Sequence, residues 1–215
     1  MKKVAVILSG CGVYDGAEIH EAVLCLLHLS RQGASYQCFA PDKPQHHVVN
    51  HLSGEEEPGG RNVLEESARI ARGDIKPLSE LNANDFDALL LPGGFGAAKN
   101  LCDFADKGAD AQLDPQVLRV CKDFAAARKP AGYCCISPVM IPRVYPAGVK
   151  GTIGTEAAVA DAFTAMGGEH IGCAVTDVVE DSHYRVISTP AYMLAKSITE
   201  ADTGIGKLVK RLLEM

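Results

Sequence analysis

The residues best suited to chemistry lie in Cys134-Cys135-Ile136-Ser137-Pro138, directly after a short apolar run at 130–133. A strand that turns abruptly into a helix presents one side chain at the tip, the arrangement called a nucleophile elbow. We place Cys135 at that tip. The free N–H groups at a helix N-terminus should then lower the pKa of its thiol and make it reactive. Cys134 should point the opposite way and be structural; a buried structural thiol is also the alternative interpretation of Cys135.

Acidic side chains and a histidine begin the segment after the first predicted strand: Glu18, His20 and Glu21. Acidic residues near a helix N-terminus are stabilised by the helix dipole even without a function, so their position alone decides nothing. Adjacent helical residues diverge by about 100°, and at most one of His20 and Glu21 can therefore face a thiol squarely.

Pro92-Gly93-Gly94 follows a third predicted strand. Backbone without side chains can approach a reacting group closely, and its amides would suit an oxyanion site, although an ordinary turn would have the same sequence. Functional residues of open parallel sheets lie beyond the carboxyl ends of the strands. The thiol, the carboxylates and the glycine amides are therefore expected to converge at one edge.

Strands and helices alternate along the chain. Strands are predicted at 3–8, 36–40, 86–91, 130–133, 174–179 and 184–188, and helices at 18–31, 62–71, 116–128, 136–144, 155–166 and 203–213. The helix at 136–144 is predicted to be interrupted by Pro142. Parallel strands need crossover helices, so the pattern predicts an α/β sandwich with a mainly parallel sheet. The polar, turn-rich segment 44–60 is predicted to be a loop or small hairpin.

Composition limits the possible functions. The 215 residues are 47% hydrophobic and 22% charged, which predicts one domain, 1–215, with a single core. A formal net charge of −6 and the lack of a basic block argue against nucleic acid or an anionic membrane as partners. The N-terminal apolar run of five residues is too short to act as an export signal or to span a membrane. Eight cysteines without a CxxC pair indicate a reduced, cytoplasmic protein.

Three motifs together resemble the ThiJ/PfpI superfamily, which has the class I glutamine amidotransferase-like fold. They are Gly16-Ala17-Glu18-Ile19-His20-Glu21, Leu91-Pro92-Gly93-Gly94 and Tyr133-Cys134-Cys135-Ile136-Ser137-Pro138. Four further segments, 9–16, 50–55, 92–100 and 189–195, are similar to the ElbB branch, which is associated with isoprenoid biosynthesis. The resemblance spans the chain.

The resemblance implies a flavodoxin-like three-layer sandwich, with Cys135 as nucleophile, Glu21 as its carboxylate partner and amides near Gly94 as the oxyanion site. It also implies glyoxalase activity without glutathione, cofactor or metal, and a homodimer. Ile136 stands where protease-like members have His, and Thr189-Pro190-Ala191 where glutamine amidotransferases have the His and Glu of their triad. Glutaminase and peptidase activities are therefore not expected.

The histidines allow two further interpretations. We expect His20 as a secondary contact of the site, to a substrate oxygen or to Cys135. His46, His47 and His51 raise the possibility of a metal site, but they lie in a polar loop without a helical i, i+4 pair, and solvated histidines are the favoured interpretation.

Two functions follow from these residues. The leading hypothesis is a cofactor-independent glyoxalase, a lyase of the hydro-lyase type, that converts glyoxal or a similarly small 2-oxoaldehyde to the 2-hydroxy acid. The alternative is a non-enzymatic redox-sensing or stress-regulatory protein in which oxidants modify the Cys135 thiol.

Overall fold

Seven strands form one central sheet in a computed structural model that describes all 215 residues, Met1–Met215. The strands along the chain are β1 (Lys3–Ile7), β2 (Ser35–Ala40), β3 (Ile75–Pro77), β4 (Ala88–Leu91), β5 (Ala131–Cys134), β6 (Lys150–Gly151), β7 (Glu169–His170), β8 (Val179–Asp181) and β9 (Val186–Thr189). The sheet order is β3-β2-β1-β4-β5-β9-β8, and only β8 runs antiparallel to its neighbour. β6 and β7 form a separate parallel pair.

Helices connect the strands and cover both faces of the sheet. They are α1 (Ile19–Arg31), α2 (Val63–Ile70), α3 (Phe95–Lys99), α4 (Phe104–Lys107), α5 (Pro115–Ala126), α6 (Ile141–Val144), α7 (Ala157–Ala165) and α8 (Ile198–Glu214). The predicted three-layer α/β sandwich with a mainly parallel sheet is confirmed.

The core consists of two layers rather than the single core predicted. Side chains alternate between the faces of a strand, so β1 sends Val4 and Val6 to one side and Ala5 and Ile7 to the other. The first layer packs against α1 and α8, and the second against α5, α6 and α7. The continuous apolar run of β1 is typical of a parallel strand buried on both faces.

Several predicted elements differ in extent. The predicted strand at 174–179 is wrong except at its last residue, because 174–177 turns, with Asp177 N–H donating to Ala174 O. Strand β3 and the short helices α3 and α4 were not predicted. The predicted helix at 136–144 is a 3₁₀ turn, Ser137–Met140, followed by α6. Pro138 and Pro142 lack the N–H donors that a continuous helix requires there.

The segment 44–60 is the predicted loop with a small hairpin, closed by antiparallel bridges between Val49 and Glu56 and between Pro44 and Asn62. Its position matters for the site because Asn100 holds both this segment and the turn after β1. The Asn100 amide donates to Ser9 O and Asp15 O, and its oxygen accepts from His46 N–H. No helix in the structure is long and apolar enough to cross a bilayer.

Candidate functional site

Cys135 occupies a strained turn at the carboxyl end of β5. Its φ is 61°, a left-handed conformation that is rare for residues other than glycine, and such backbone strain concentrates at functional sites. The Cys135 N–H donates to Thr189 O at 3.0 Å, which fixes the turn to the end of β9. The residue is 7% exposed and lines a cavity. This is the elbow geometry that the sequence predicts.

Cys134 points away from this cavity, as the alternation of β5 requires. It is fully buried, and its Sγ lies 3.7 Å from the Sγ of Cys25 on α1. All eight cysteines are free thiols. Cys135 therefore differs from its neighbour in facing an accessible space.

Glu21 is fully buried beside Cys135 and is held by hydrogen bonds from two other elements. Its Oε2 accepts from Gly93 N–H at 3.1 Å, and its Oε1 accepts from Tyr192 N–H at 3.0 Å. The Cys135 side chain lies beside the same carboxyl group, since a Cβ placed on Gly93 would meet both Cys135 Cβ and Glu21 Oε2. The structure thus brings together the predicted pair, Glu21 and Cys135, although these residues are far apart in the chain.

The two groups shift each other's protonation. Burial raises the pKa of Glu21 to about 7, against the lowering effect of the Tyr192 N–H. Burial, followed by the charge of Glu21, raises the pKa of the Cys135 thiol well above its ordinary value, and the N–H of Gly94 opposes this. The prediction of a lowered thiol pKa is therefore wrong, because burial and the charge of Glu21 outweigh the N–H donors near the short turn that follows Cys135. Both shifts favour the protonated, uncharged form of each group.

Gly93 and Gly94 permit the close approach of the strand ends. A Cβ on Gly93 would overlap Cys135 Cβ and lie 2.7 Å from Glu21 Oε2, so any side chain there would separate the two groups. Gly94 has φ 93° and packs against the backbone of Gly16 and Glu18. Its N–H lowers the pKa of Cys135, as does the N–H of Ile136. Backbone N–H groups beside a nucleophile are the kind of donor that an oxyanion site uses.

His20 and Glu18 surround the pair without touching the thiol. The exposed His20 forms a hydrogen bond through Nδ1 with the Tyr192 hydroxyl at 2.8 Å. Glu18 caps α1, and its Oε2 accepts from Glu21 N–H at 2.7 Å. Only Glu21 faces Cys135, as the 100° divergence of adjacent helical residues requires.

Sequence reasoning missed Tyr192 and Ser137. Tyr192 lies within segment 189–195, one of the segments that resemble the ElbB branch. The fully buried Ser137 accepts from Cys134 N–H at 3.0 Å and donates to Leu91 O at 2.8 Å, which joins the end of β4 to the elbow. A serine two residues after the candidate nucleophile was the available signal.

Replacing Ser137 with alanine is expected to destabilise the protein by about 1–3 kcal/mol, because a buried N–H and a buried carbonyl lose their partner. Chemical denaturation measures the change. Ser30→Ala, at an exposed position of α1, is the control and should stay within about 0.5 kcal/mol of the unsubstituted protein. Equal stability of the two variants would show that Ser137 does not hold the elbow.

A cavity of about 690 Å³ opens at Cys135. Ten of its fourteen lining residues are hydrophobic, and Glu18, Lys99 and Glu156 are the charged ones. The thiol therefore meets a largely apolar space that can hold a small organic molecule.

No group of three or more His, Cys, Asp or Glu side chains comes together in a way that would hold a metal ion. His51 is instead part of the local structure: its Nε2 accepts from Tyr14 N–H at 3.1 Å, and its ring stacks on Tyr14. His46 Nε2 lies 3.3 Å from Asp106 Oδ2.

This three-layer α/β fold is that of the glutamine amidotransferase-like and DJ-1 proteins. A DJ-1 superfamily protein from Salmonella typhimurium (23% identity) has a TM-score of 0.61 over 100% of this chain and 91% of its own. Glyoxalase III from Candida albicans (14% identity) has a TM-score of 0.63 over 99% and 96%. At these identities the likeness concerns the fold alone.

Closer relatives define the family. The ES1 protein homolog of Rattus norvegicus is 48% identical over 99% of this chain and 84% of its own length. Glutamine amidotransferase-like class 1 domain-containing protein 3 of Homo sapiens is 48% identical over 99% and 83%. The chain belongs to this family of ES1 and glutamine amidotransferase-like class 1 domain proteins. No protein-family model matches the sequence.

A crystal structure of an isoprenoid biosynthesis protein with an amidotransferase-like domain from Ehrlichia chaffeensis is also similar. It is 38% identical, with a TM-score of 0.94 over 100% of this chain and 99% of its own. The whole fold is therefore shared with this protein.

The prediction of a cytoplasmic protein is contradicted by the relatives, since the rat and human proteins are both named as mitochondrial. The prediction used the absence of a disulfide framework. That feature indicates reduced thiols and does not distinguish one reducing compartment from another.

Proposed function

We propose that this protein is a glutathione-independent glyoxalase that converts glyoxal, or a similar small 2-oxoaldehyde, to the 2-hydroxy acid. The observation that carries the proposal is the placement of the buried carboxyl of Glu21 beside Cys135 at the end of an apolar cavity. Such a pair supplies a nucleophile and a base without a metal or cofactor. The likeness in fold to a glyoxalase III is consistent with it.

The reaction begins with addition of Cys135 to one aldehyde carbon. Ionised Glu21 accepts the thiol proton while the S–C bond forms, and the proton then passes to the aldehyde oxygen to give a hemithioacetal. The N–H groups of Gly94 and Ile136 stabilise the negative charge that develops on that oxygen. The high pKa of the free thiol does not prevent this step, because the proton leaves as the bond forms.

Isomerisation and hydrolysis complete the sequence. Glu21 removes the proton from the carbon bonded to sulfur, giving an enediol, and returns a proton to the neighbouring carbon. One carbon is oxidised and the other reduced, so no external oxidant is required. The resulting glycolyl thioester is cleaved by water: the C–S bond breaks, the thiol regains its proton and glycolate leaves.

The activity should depend on pH through Glu21. A base must be ionised, and the pKa of Glu21 is raised to about 7; kcat/KM should therefore fall about tenfold per pH unit below pH 7 and be level just above it. A pH profile from 5 to 8.5 with glyoxal tests this. A flat profile below pH 7 would show that Glu21 is not the base.

The direct test of function is formation of glycolate from glyoxal by the purified protein, followed by NMR, with a chelator present and no glutathione. Glycolate formation at a rate proportional to protein concentration is expected. The alternative of a redox-sensing regulator uses the same thiol, and absence of turnover with a panel of small aldehydes would favour it.

Two finer assignments accompany the proposal. We assign the chain to the ElbB branch, supported by segments 9–16, 50–55, 92–100 and 189–195 and by the likeness to an isoprenoid biosynthesis protein.

We also propose a homodimer, supported by Ile19, Val23 and Leu27, which expose apolar side chains on the outer face of α1. Light scattering of the purified protein would test the dimer.

A further inference from the structure

The cavity beyond Cys135 is much larger than glyoxal requires. Glyoxal has only two carbons and two oxygens, whereas cavities of about 300–1,000 Å³ accommodate drug-sized ligands. The cavity here is about 690 Å³. A glyoxal molecule bonded to Cys135 would leave most of this volume unfilled.

The walls of the cavity are apolar away from the reacting pair. They are formed by Val13, Phe95, Phe104, Ile136, Val159 and Met193. The polar lining groups are already engaged or lie in solvent: Glu18 accepts from Glu21 N–H, Lys99 Nζ donates to Tyr14 O, and Glu156 is exposed. The lining therefore suits an uncharged apolar group better than a polar one.

We propose that this cavity holds a ring-sized apolar substituent on the substrate, so that an aryl 2-oxoaldehyde is preferred over glyoxal. The inference rests on the proposed function, because it places the aldehyde carbon at Cys135. Burial of the ring in the cavity releases water from the apolar walls, which favours binding and dries the space around Glu21.

Phenylglyoxal tests the inference by comparison with glyoxal. Its kcat/KM, after subtraction of the rate with Cys135→Ala, should exceed that of glyoxal at least about tenfold, since even one methylene in an apolar pocket changes kcat/KM by about 10–200-fold. A ratio of one or less would overturn the inference while leaving the glyoxalase proposal intact.

A cavity-filling substitution tests whether the ring of the substrate lies in this cavity. Ala105, on α4, and Ala158, on α7, are both exposed, but only Ala105 lines the cavity. Ala105→Phe should lower the ratio of phenylglyoxal to glyoxal kcat/KM at least about tenfold. Ala158→Phe, the matched control, should leave that ratio unchanged. Equal ratios in the two variants would contradict placement of the ring in this cavity.

Protection of Cys135 provides a measurement that does not need turnover. Mandelate and glycolate are the 2-hydroxy acids derived from phenylglyoxal and glyoxal, and each should slow alkylation of Cys135 by iodoacetamide when bound. Mandelate should protect at a concentration at least about tenfold lower than glycolate. Such protection without turnover of either aldehyde would refute the proposed glyoxalase activity and would support the placement of a ring in the cavity. Equal protection by the two acids would refute the cavity assignment.

Discussion

Cys135→Ala is expected to abolish glyoxal turnover, lowering kcat/KM at least about a thousandfold, because no covalent intermediate can form. The cavity and the Glu21 carboxylate remain, so the loss should appear in kcat rather than only in KM. Glycolate formation followed by NMR measures the effect.

Cys134→Ala is the matched control for this prediction. Cys134 is adjacent in sequence, but its sulfur faces Cys25 on the other side of β5. Its removal should lower stability by creating a small void, with turnover by the folded protein retained. If Cys134→Ala were inactive and Cys135→Ala active, the elbow would be assigned to the wrong thiol.

Glu21→Gln is expected to lower turnover about a hundredfold to ten-thousandfold, the usual contribution of a positioned general base. Loss of the negative charge should also lower the pKa of Cys135, because the charge of Glu21 raises it. The rate of iodoacetamide alkylation against pH should therefore shift toward lower pH in the variant. Faster alkylation together with slower turnover is a combination that simple misfolding would not produce.

The substitution also has a structural cost. The Glu21 carboxylate accepts from two N–H groups, those of Gly93 and Tyr192, whereas glutamine offers one acceptor oxygen and an NH₂ group. We expect a loss of about 1–3 kcal/mol in the free energy of unfolding. Glu18→Gln serves for comparison and should lower turnover less than tenfold. If Glu18→Gln removed turnover and Glu21→Gln did not, Glu18 would be the base.

The parts of the site that could be predicted depend on local sequence and on the edge of a parallel sheet. Cys135 follows a short apolar strand, and Gly93 and Gly94 follow another. Because the carboxyl ends of neighbouring parallel strands meet, their convergence with the start of α1 follows from topology alone.

The protonation of the site could not be predicted in the same way. The pKa of Cys135 depends on how completely distant elements bury it and on how closely Glu21 approaches it, and local sequence shows neither quantity. One of the two N–H groups that hold Glu21 comes from Tyr192, which is 171 positions away. The break in the helix after the nucleophile is easier to predict than the protonation of the site, since Pro138 and Pro142 are visible in the sequence.

One region that was predicted incorrectly lies at the antiparallel edge of the sheet. Segment 174–179 has the apolar character of a strand, but its chain turns at Asp177, whose backbone oxygen accepts from the Thr189 hydroxyl. Tertiary contacts of this kind override local strand propensity. Only 179–181 then pairs with β9.

The most direct test of the account is peptide mapping of the protein quenched during glyoxal turnover. The central claim is that glyoxal becomes bonded to Cys135 before glycolate is released. We predict that the peptide containing Cys135 carries the added mass of one glyoxal, in a fraction that rises and falls with turnover and is absent from Cys135→Ala. Glycolate formation at full rate with no adduct on Cys135 at any time would contradict the account.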